Sequence, residues 1–242
     1  MISSKQKLVI LLSVVLAVLL YFAPKMASEA KQTEKTDSDF ATSFEDAMKN
    51  VPAEQKEIFN RIETSLRKAK TDNNEQSWFA SATDFLKGAR LIQDDKKTTL
   101  YKGAIHGFEK TLEFNPDNLS AKTNLGTAIV ESSSLLGNQP MKGITLLREV
   151  IQMDSNNIEA NLQLGLFSVT SQQFGKAIER FNRILRIDSS HIDMYVYLGD
   201  TYLTMGDKPK AIESYENYKT RVKDTLIIKD IDQYIKKLKQ TN

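Results

Sequence analysis

Residues 158–191 read IEANLQLGLFSVTSQQFGKAIERFNRILRIDSSH, and residues 192–225 read IDMYVYLGDTYLTMGDKPKAIESYENYKTRVKDT. At a shift of thirty-four residues, Leu164-Gly165 falls on Leu198-Gly199, Ala177 on Ala211 and Phe181 on Tyr215. Small residues let two helices approach closely, and large ones at helical spacing fill the space between pairs. Each thirty-four-residue stretch therefore reads as one unit of a repeat. One such unit cannot bury its apolar face alone, so the units must stack.

Earlier copies precede these two. Leu125-Gly126 opens one, followed by Gly143, Leu147 and Val150. Trp78, Ala82 and Phe85, then Ala104, Phe108 and the stop signal Asn115-Pro116-Asp117-Asn118, form another. The units are expected at 75–118, 119–157, 158–191 and 192–225. The second carries about five extra residues, from Ser132 to Pro140, expected between its helices. The first carries about ten around Gln93 to Thr99, which predicts a longer first helix.

This pattern resembles the tetratricopeptide repeat (TPR) family, whose unit places a large residue, Leu-Gly, Tyr, Ala, Phe or Tyr, Ala and Pro at fixed offsets. The resemblance covers residues 75–225, about three-fifths of the chain. It implies an all-α fold, a TPR helical-hairpin solenoid of about four repeats that binds proteins on its inner surface. The family's groove-facing positions, carried onto this chain, are Phe79, Thr83 and Lys87 in the first unit and Thr123, Asn124, Thr127 and Glu131 in the second. The third supplies Gln163, Leu166 and Thr170, and the fourth Tyr197, Asp200 and Thr204. That lining is mostly neutral and polar, with Phe79, Leu166 and Tyr197 as apolar anchors. It suits an extended or helical protein segment held by amides, hydroxyls and a few apolar contacts. Some family members grip the acidic tails of chaperones with Lys and Asn side chains. Here Asn124 matches, but Phe79, Thr83, Glu159 and Gln163 stand where donors or cations are needed, so that activity is not supported.

Around the repeats the composition changes. Residues 53–74 carry Ile58, Phe59, Ile62, Leu66 and Ala69 at helical spacing behind Pro52, which predicts a leading helix that covers one end. Residues 226–242 set Ile227, Ile228, Ile231, Tyr234, Ile235 and Leu238 against Lys229, Lys236, Lys237 and Lys239, a capping helix for the other end. Residues 24–52 are rich in Lys, Glu, Thr, Ser and Asp and read as a flexible polar tether, with Phe40, Phe44 and Met48 hinting at one short amphipathic turn.

The first 23 residues are apolar from Leu8 to Ala23 except Ser13 and Tyr21, behind Lys5 and Lys7 and ahead of Pro24 and Lys25. As a helix these residues span about 24 Å, slightly short of a hydrocarbon core of roughly 30 Å. A cleaved signal peptide and a retained anchor compete. The small-x-small choice at Ser28-Glu29-Ala30 lies far beyond the apolar run, which favours a signal anchor, one transmembrane helix with the repeats on the extracytoplasmic (periplasmic) side. The whole resembles the single-span TPR proteins of bacterial envelopes.

Several chemistries are excluded. There is no cysteine, and a formal net charge of +2 spread along 242 residues gives no basic footprint for nucleic acid. His106, expected on the outer side of a second helix, and His191, in a loop, are too far apart to share a metal. Asp94-Asp95 reads as a solvated turn, and Ser132-Ser133-Ser134 has no histidine base nearby. No enzyme, cofactor or metal is expected. The expectation is a membrane-tethered adaptor for an unidentified protein partner. The alternatives are a structural or assembly factor acting by self-association as a homo-oligomer, and an accessory subunit of an envelope biogenesis or secretion complex.

Overall fold

In the computed structural model the described residues are 40, 42–49, 51–137 and 139–240. Residue 40 is helical, as are residues 42–49 (α1). A short 3-10 turn, Ala53–Gln55, leads into α2 (Lys56–Asp72), α3 (Glu75–Leu91), α4 (Lys96–Phe114) and α5 (Leu119–Leu136). There follow α6 (Met141–Met153), α7 (Ile158–Thr170), α8 (Phe174–Ile187), α9 (Met194–Thr204), α10 (Lys208–Lys219) and α11 (Thr225–Gln240). No strand occurs among the described residues. The pairs α3/α4, α5/α6, α7/α8 and α9/α10 are hairpins, each stacked on the next, while α2 packs on α3 and α11 on α10.

The small residues of the repeat lie where the hairpins close. A Cβ built on Gly165 would meet the Phe181 ring at 2.6 Å, and one on Gly199 the Tyr215 ring at 2.6 Å. Large rings thus pack directly on the bare backbone of the partner helix. Phe181 and Tyr215 are buried, as are Ala177 and Ala211 beside them. Losing such a ring costs about 3–5 kcal/mol, more than any surface contact in the chain can offset.

Starts and stops follow local chemistry. Asn74, Asn118 and Asn157 accept the backbone N–H three residues on, from Ser77, Ala121 and Ala160, and so cap α3, α5 and α7. Asn73, at φ 43°, turns the chain out of α2, and Gly137, at φ 63°, ends α5 in the left-handed region that favours glycine.

Three expectations are corrected. Within the tether expected at 24–52, residues 42–49 form α1, and Phe40 and Phe44 are buried. Two phenylalanines four residues apart offer enough apolar surface to dock even in a polar stretch. The extra residues of the second unit do not all lie between its helices: Ser132 is buried within α5, which runs on to Leu136 because no breaker precedes Gly137. His106 is not on an open outer side. It is buried, stacked on Phe40 at 5.4 Å and edge-on to Trp78 at 5.5 Å.

Asp94 is likewise more than a solvated turn: it accepts Gln55 Nε2 at 2.9 Å and the Lys96 N–H at 2.9 Å. The Gln55 hydrogen bond, foremost, holds its carboxyl below the usual range. Among the described residues no helix is long and apolar enough to cross a membrane; the expected span, Leu8 to Ala23, lies outside them.

Candidate protein-binding groove

The first helices α3, α5 and α7 are joined by polar side chains, which fixes the face they share. Arg90, near the end of α3, donates to Glu131 of α5 through Nε at 3.1 Å and Nη2 at 2.8 Å, and to Glu159 of α7 through Nη2 at 3.1 Å. Gln163 Nε2 donates to both carboxylates at 3.2 Å, Tyr101 OH to Glu131 at 3.2 Å, and Thr127 Oγ1 to Glu159 at 3.4 Å. The Glu131 hydrogen bond, foremost, holds the Arg90 guanidinium more firmly in its charged form. Burial first, and then the Glu131 carboxylate, pushes the Tyr101 phenol up to about 12.

Further along, α9 brings Tyr197 onto the Phe181 ring, stacked at 5.5 Å. Burial raises the Tyr197 phenol above its ordinary value, and the carboxylates of Asp193, Asp200 and Glu159 add to the rise. Glu131 and Glu159 share the Arg90 cation, whereas Asp200 accepts the neutral hydroxyl of buried Tyr215 at 2.5 Å.

The sequence-derived lining residues fall into two groups. Thr123, Thr127 and Gln163 are buried. Thr123 donates to the Leu119 carbonyl and accepts from Asn157, so it joins successive units rather than facing solvent. Thr83 donates to the Phe79 carbonyl within α3. Phe79 is half-buried, edge-on to Phe108 at 5.8 Å. Leu166 is half-buried against the core. Lys87, Thr170, Asp200 and Thr204 are exposed, while Asn124, Glu131 and Tyr197 are partly exposed. Sequence reasoning missed Arg90, Tyr101 and Asp193, and met Glu159 only as a residue in the wrong place for another function. A cation near the end of a first helix, aligned with glutamates one and two units on, is the signal that was there to find. Arg90 offsets Glu131 and Glu159, while Asp193 and Asp200 are exposed carboxylates one turn either side of Tyr197. Among the described residues no group of three or more His, Asp or Glu could hold a metal ion.

No protein-family model and no curated protein matches the sequence. Among solved structures the chain is similar to a MamA point mutant, with a TM-score of 0.50 at 16% identity over 70% of this chain and 92% of that one. It is also similar to TTC0263, a thermophilic TPR protein of Thermus thermophilus, with a TM-score of 0.48 at 14% identity over 76% and 100% of the two chains. A third is YrrB, described as a TPR protein with an unusual peptide-binding site, with a TM-score of 0.46 at 19% identity over 80% and 97%. At such identities the likeness concerns the fold. Together with the stacked hairpins, the likeness to the MamA mutant makes the described residues an all-helical, TPR-like solenoid.

Proposed function

We propose that this chain is a protein-interaction adaptor whose inner groove receives an extended or helical partner segment carrying Lys or Arg. The observation that supports it is Tyr197, half-buried on Phe181 and one helical turn from Asp193 and Asp200, whose carboxylates, with that of Glu159, add to the rise of its phenol. A tyrosine face beside carboxylates suits a cation twice over, through the ring quadrupole and through charge-assisted hydrogen bonds. Asn124 of α5 supplies a side-chain amide two units away. The apolar stretch from Leu8 to Ala23 would anchor the adaptor in a membrane with its repeats on the extracytoplasmic side. Service to an envelope biogenesis or secretion complex is a narrower form of the same proposal.

The test is a crosslinked pull-down from native membranes, read by mass spectrometry. Wild-type chain is compared with a variant carrying Asn124→Ala, Asp193→Asn and Tyr197→Ala. A partner that is lost selectively from the variant, and weakened by salt, supports the groove. A partner retained equally moves the site elsewhere on the chain.

Self-association has an observation of its own. Leu135 and Met141, at the junction of the second hairpin, and Leu226, on α11, are exposed apolar side chains, Leu226 by 71%. Light scattering over a concentration series separates the readings, since a strict monomer rules out assembly through these residues.

A further inference from the structure

The crevice between α2 and α4 holds a ligand already, and the ligand is part of the chain. Phe40 and Phe44 enter it side by side, stacked at 6.0 Å, and both meet Phe85 of α3 edge-on, at 5.6 and 5.2 Å. Phe40 also covers His106 of α4. Met48, another four residues on, is half-buried against the same core. Ser43 lies at hydrogen-bond distance, 3.1 Å, from Thr99 of α4. The inserted residues are thus an amphipathic helix with large apolar groups at i, i+4 and i+8, the pattern by which helices bind grooves.

Two features make this an exchangeable contact rather than a fixed part of the core. The helix is too short to persist by its own hydrogen bonds and depends on the crevice for its structure. It also leaves open space on both flanks. On one flank a cavity of about 340 Å³ is lined by Phe44, Met48, Glu63, Leu66, Arg67 and Lys70, and on the other one of about 590 Å³ lies among Ser43, Asp46, Asp95, Lys96 and Thr99. The body side of the junction is pinned separately, by Gln55 on Asp94, so α1 can leave without undoing α2.

We propose that the α2/α4 crevice is a second binding site, for a partner helix bearing Phe or similarly large apolar residues at i and i+4, kept closed in cis by Phe40 and α1. It rests on different residues from the inner groove and does not depend on that reading. Engagement of the partner releases α1, so the site couples binding to a change in the segment that precedes the repeats.

Trp78 is the only tryptophan and sits edge-on to His106, directly behind Phe40, so its fluorescence reads the crevice. The probe is a synthetic peptide with the sequence of residues 39–50, added to the full chain in detergent micelles. With Phe40→Ser/Phe44→Ser chain, the peptide should change Trp78 emission saturably. With wild-type chain the apparent affinity should be roughly tenfold weaker or worse, because α1 occupies the site. A peptide with both Phe replaced by Ser should do nothing. Equal binding to both chains, or none to a variant that keeps its helical circular dichroism, overturns the proposal. An independent measurement keeps α1 intact. In a Ser43→Cys/Thr99→Cys chain, which adds the only cysteines, excess peptide should slow disulfide formation and the Ser-substituted peptide should not. A rate indifferent to the peptide also overturns it.

Discussion

Arg90 closes on Glu131 with two parallel hydrogen bonds, Nη2 to Oε1 at 2.8 Å and Nε to Oε2 at 3.1 Å, across forty-one residues of sequence. The same Nη2 reaches Glu159, sixty-nine residues away, at 3.1 Å. One guanidinium therefore ties the first helices of three successive repeats. Without it two glutamates would face each other with only Gln163 between them.

Arg90→Ala is accordingly expected to destabilise the chain by about 1 kcal/mol, a figure kept low because the side chain is 43% exposed and screened by solvent. In a urea-denaturation double-mutant cycle with Glu131→Gln, the two changes should couple by roughly 0.5–1 kcal/mol, and less at high salt. Strict additivity would mean that the clamp contributes nothing to stability.

Two glycines make opposite predictions for the same substitution. A Cβ on Gly143 would lie 2.5 Å from the Gly126 carbonyl oxygen, a backbone atom that cannot step aside, so Gly143→Ala should cost about 1–3 kcal/mol. Gly175, inside α8, has nothing within 4 Å of such a Cβ, and Gly175→Ala should stabilise by about 0.5 kcal/mol through helix propensity. Thermal melts of the two variants, displaced in opposite directions, are the check.

The cap asparagines also join units. Asn118 caps α5 and donates through Nδ2 to Glu75 of α3 at 2.8 Å; Asn157 caps α7 and donates to Thr123 of α5 at 3.3 Å. Replacing either by Ala should cost about 1–2 kcal/mol, the upper part of the range for a cap, whereas a Ser replacement should restore the cap and lose the link. Calorimetry on the four variants distinguishes the two contributions.

Stability should decline at high pH. The Tyr101 phenol, pushed up to about 12 by burial and by Glu131, holds its proton in the folded chain where the unfolded chain releases it near pH 10. Its contribution is complete below about pH 10 and is lost progressively as pH rises towards 12. Tyr101→Phe should make that decline shallower without abolishing it, because burial also raises the Tyr197 and Tyr215 phenols. An ultraviolet titration of the folded wild-type chain in which every tyrosine ionises near 10 would contradict the assignment.

The solenoid was legible because its signal is local and repeated: Gly165 against Phe181 and Gly199 against Tyr215 are contacts within one hairpin, at a constant offset. α1 was legible only as an amphipathic turn and not as a docked helix, because it stands in a polar stretch and only the Phe85–His106 surface makes Phe40 and Phe44 bury. The polar contacts of the candidate lining were not legible: Thr127 and Gln163 are buried, and stacking turns them inward to serve Glu159 and Glu131. A cluster assembled from residues 90, 131, 159 and 163 has no period of its own, because it exists only once the repeats have docked.

The repeat helices also shorten along the chain, from nineteen residues in α4 to twelve in α10, or about 28 Å to about 18 Å. The continuous core runs from Phe40 to Ile129, while the last cluster is Ala211, Tyr215 and Ile235. A stack with nearest-neighbour cohesion and such a taper is mechanically polar. Tension applied at the C-terminal end peels away a thin hairpin at a time, whereas the N-terminal block, α1 apart, resists as a single thick unit and gives way last.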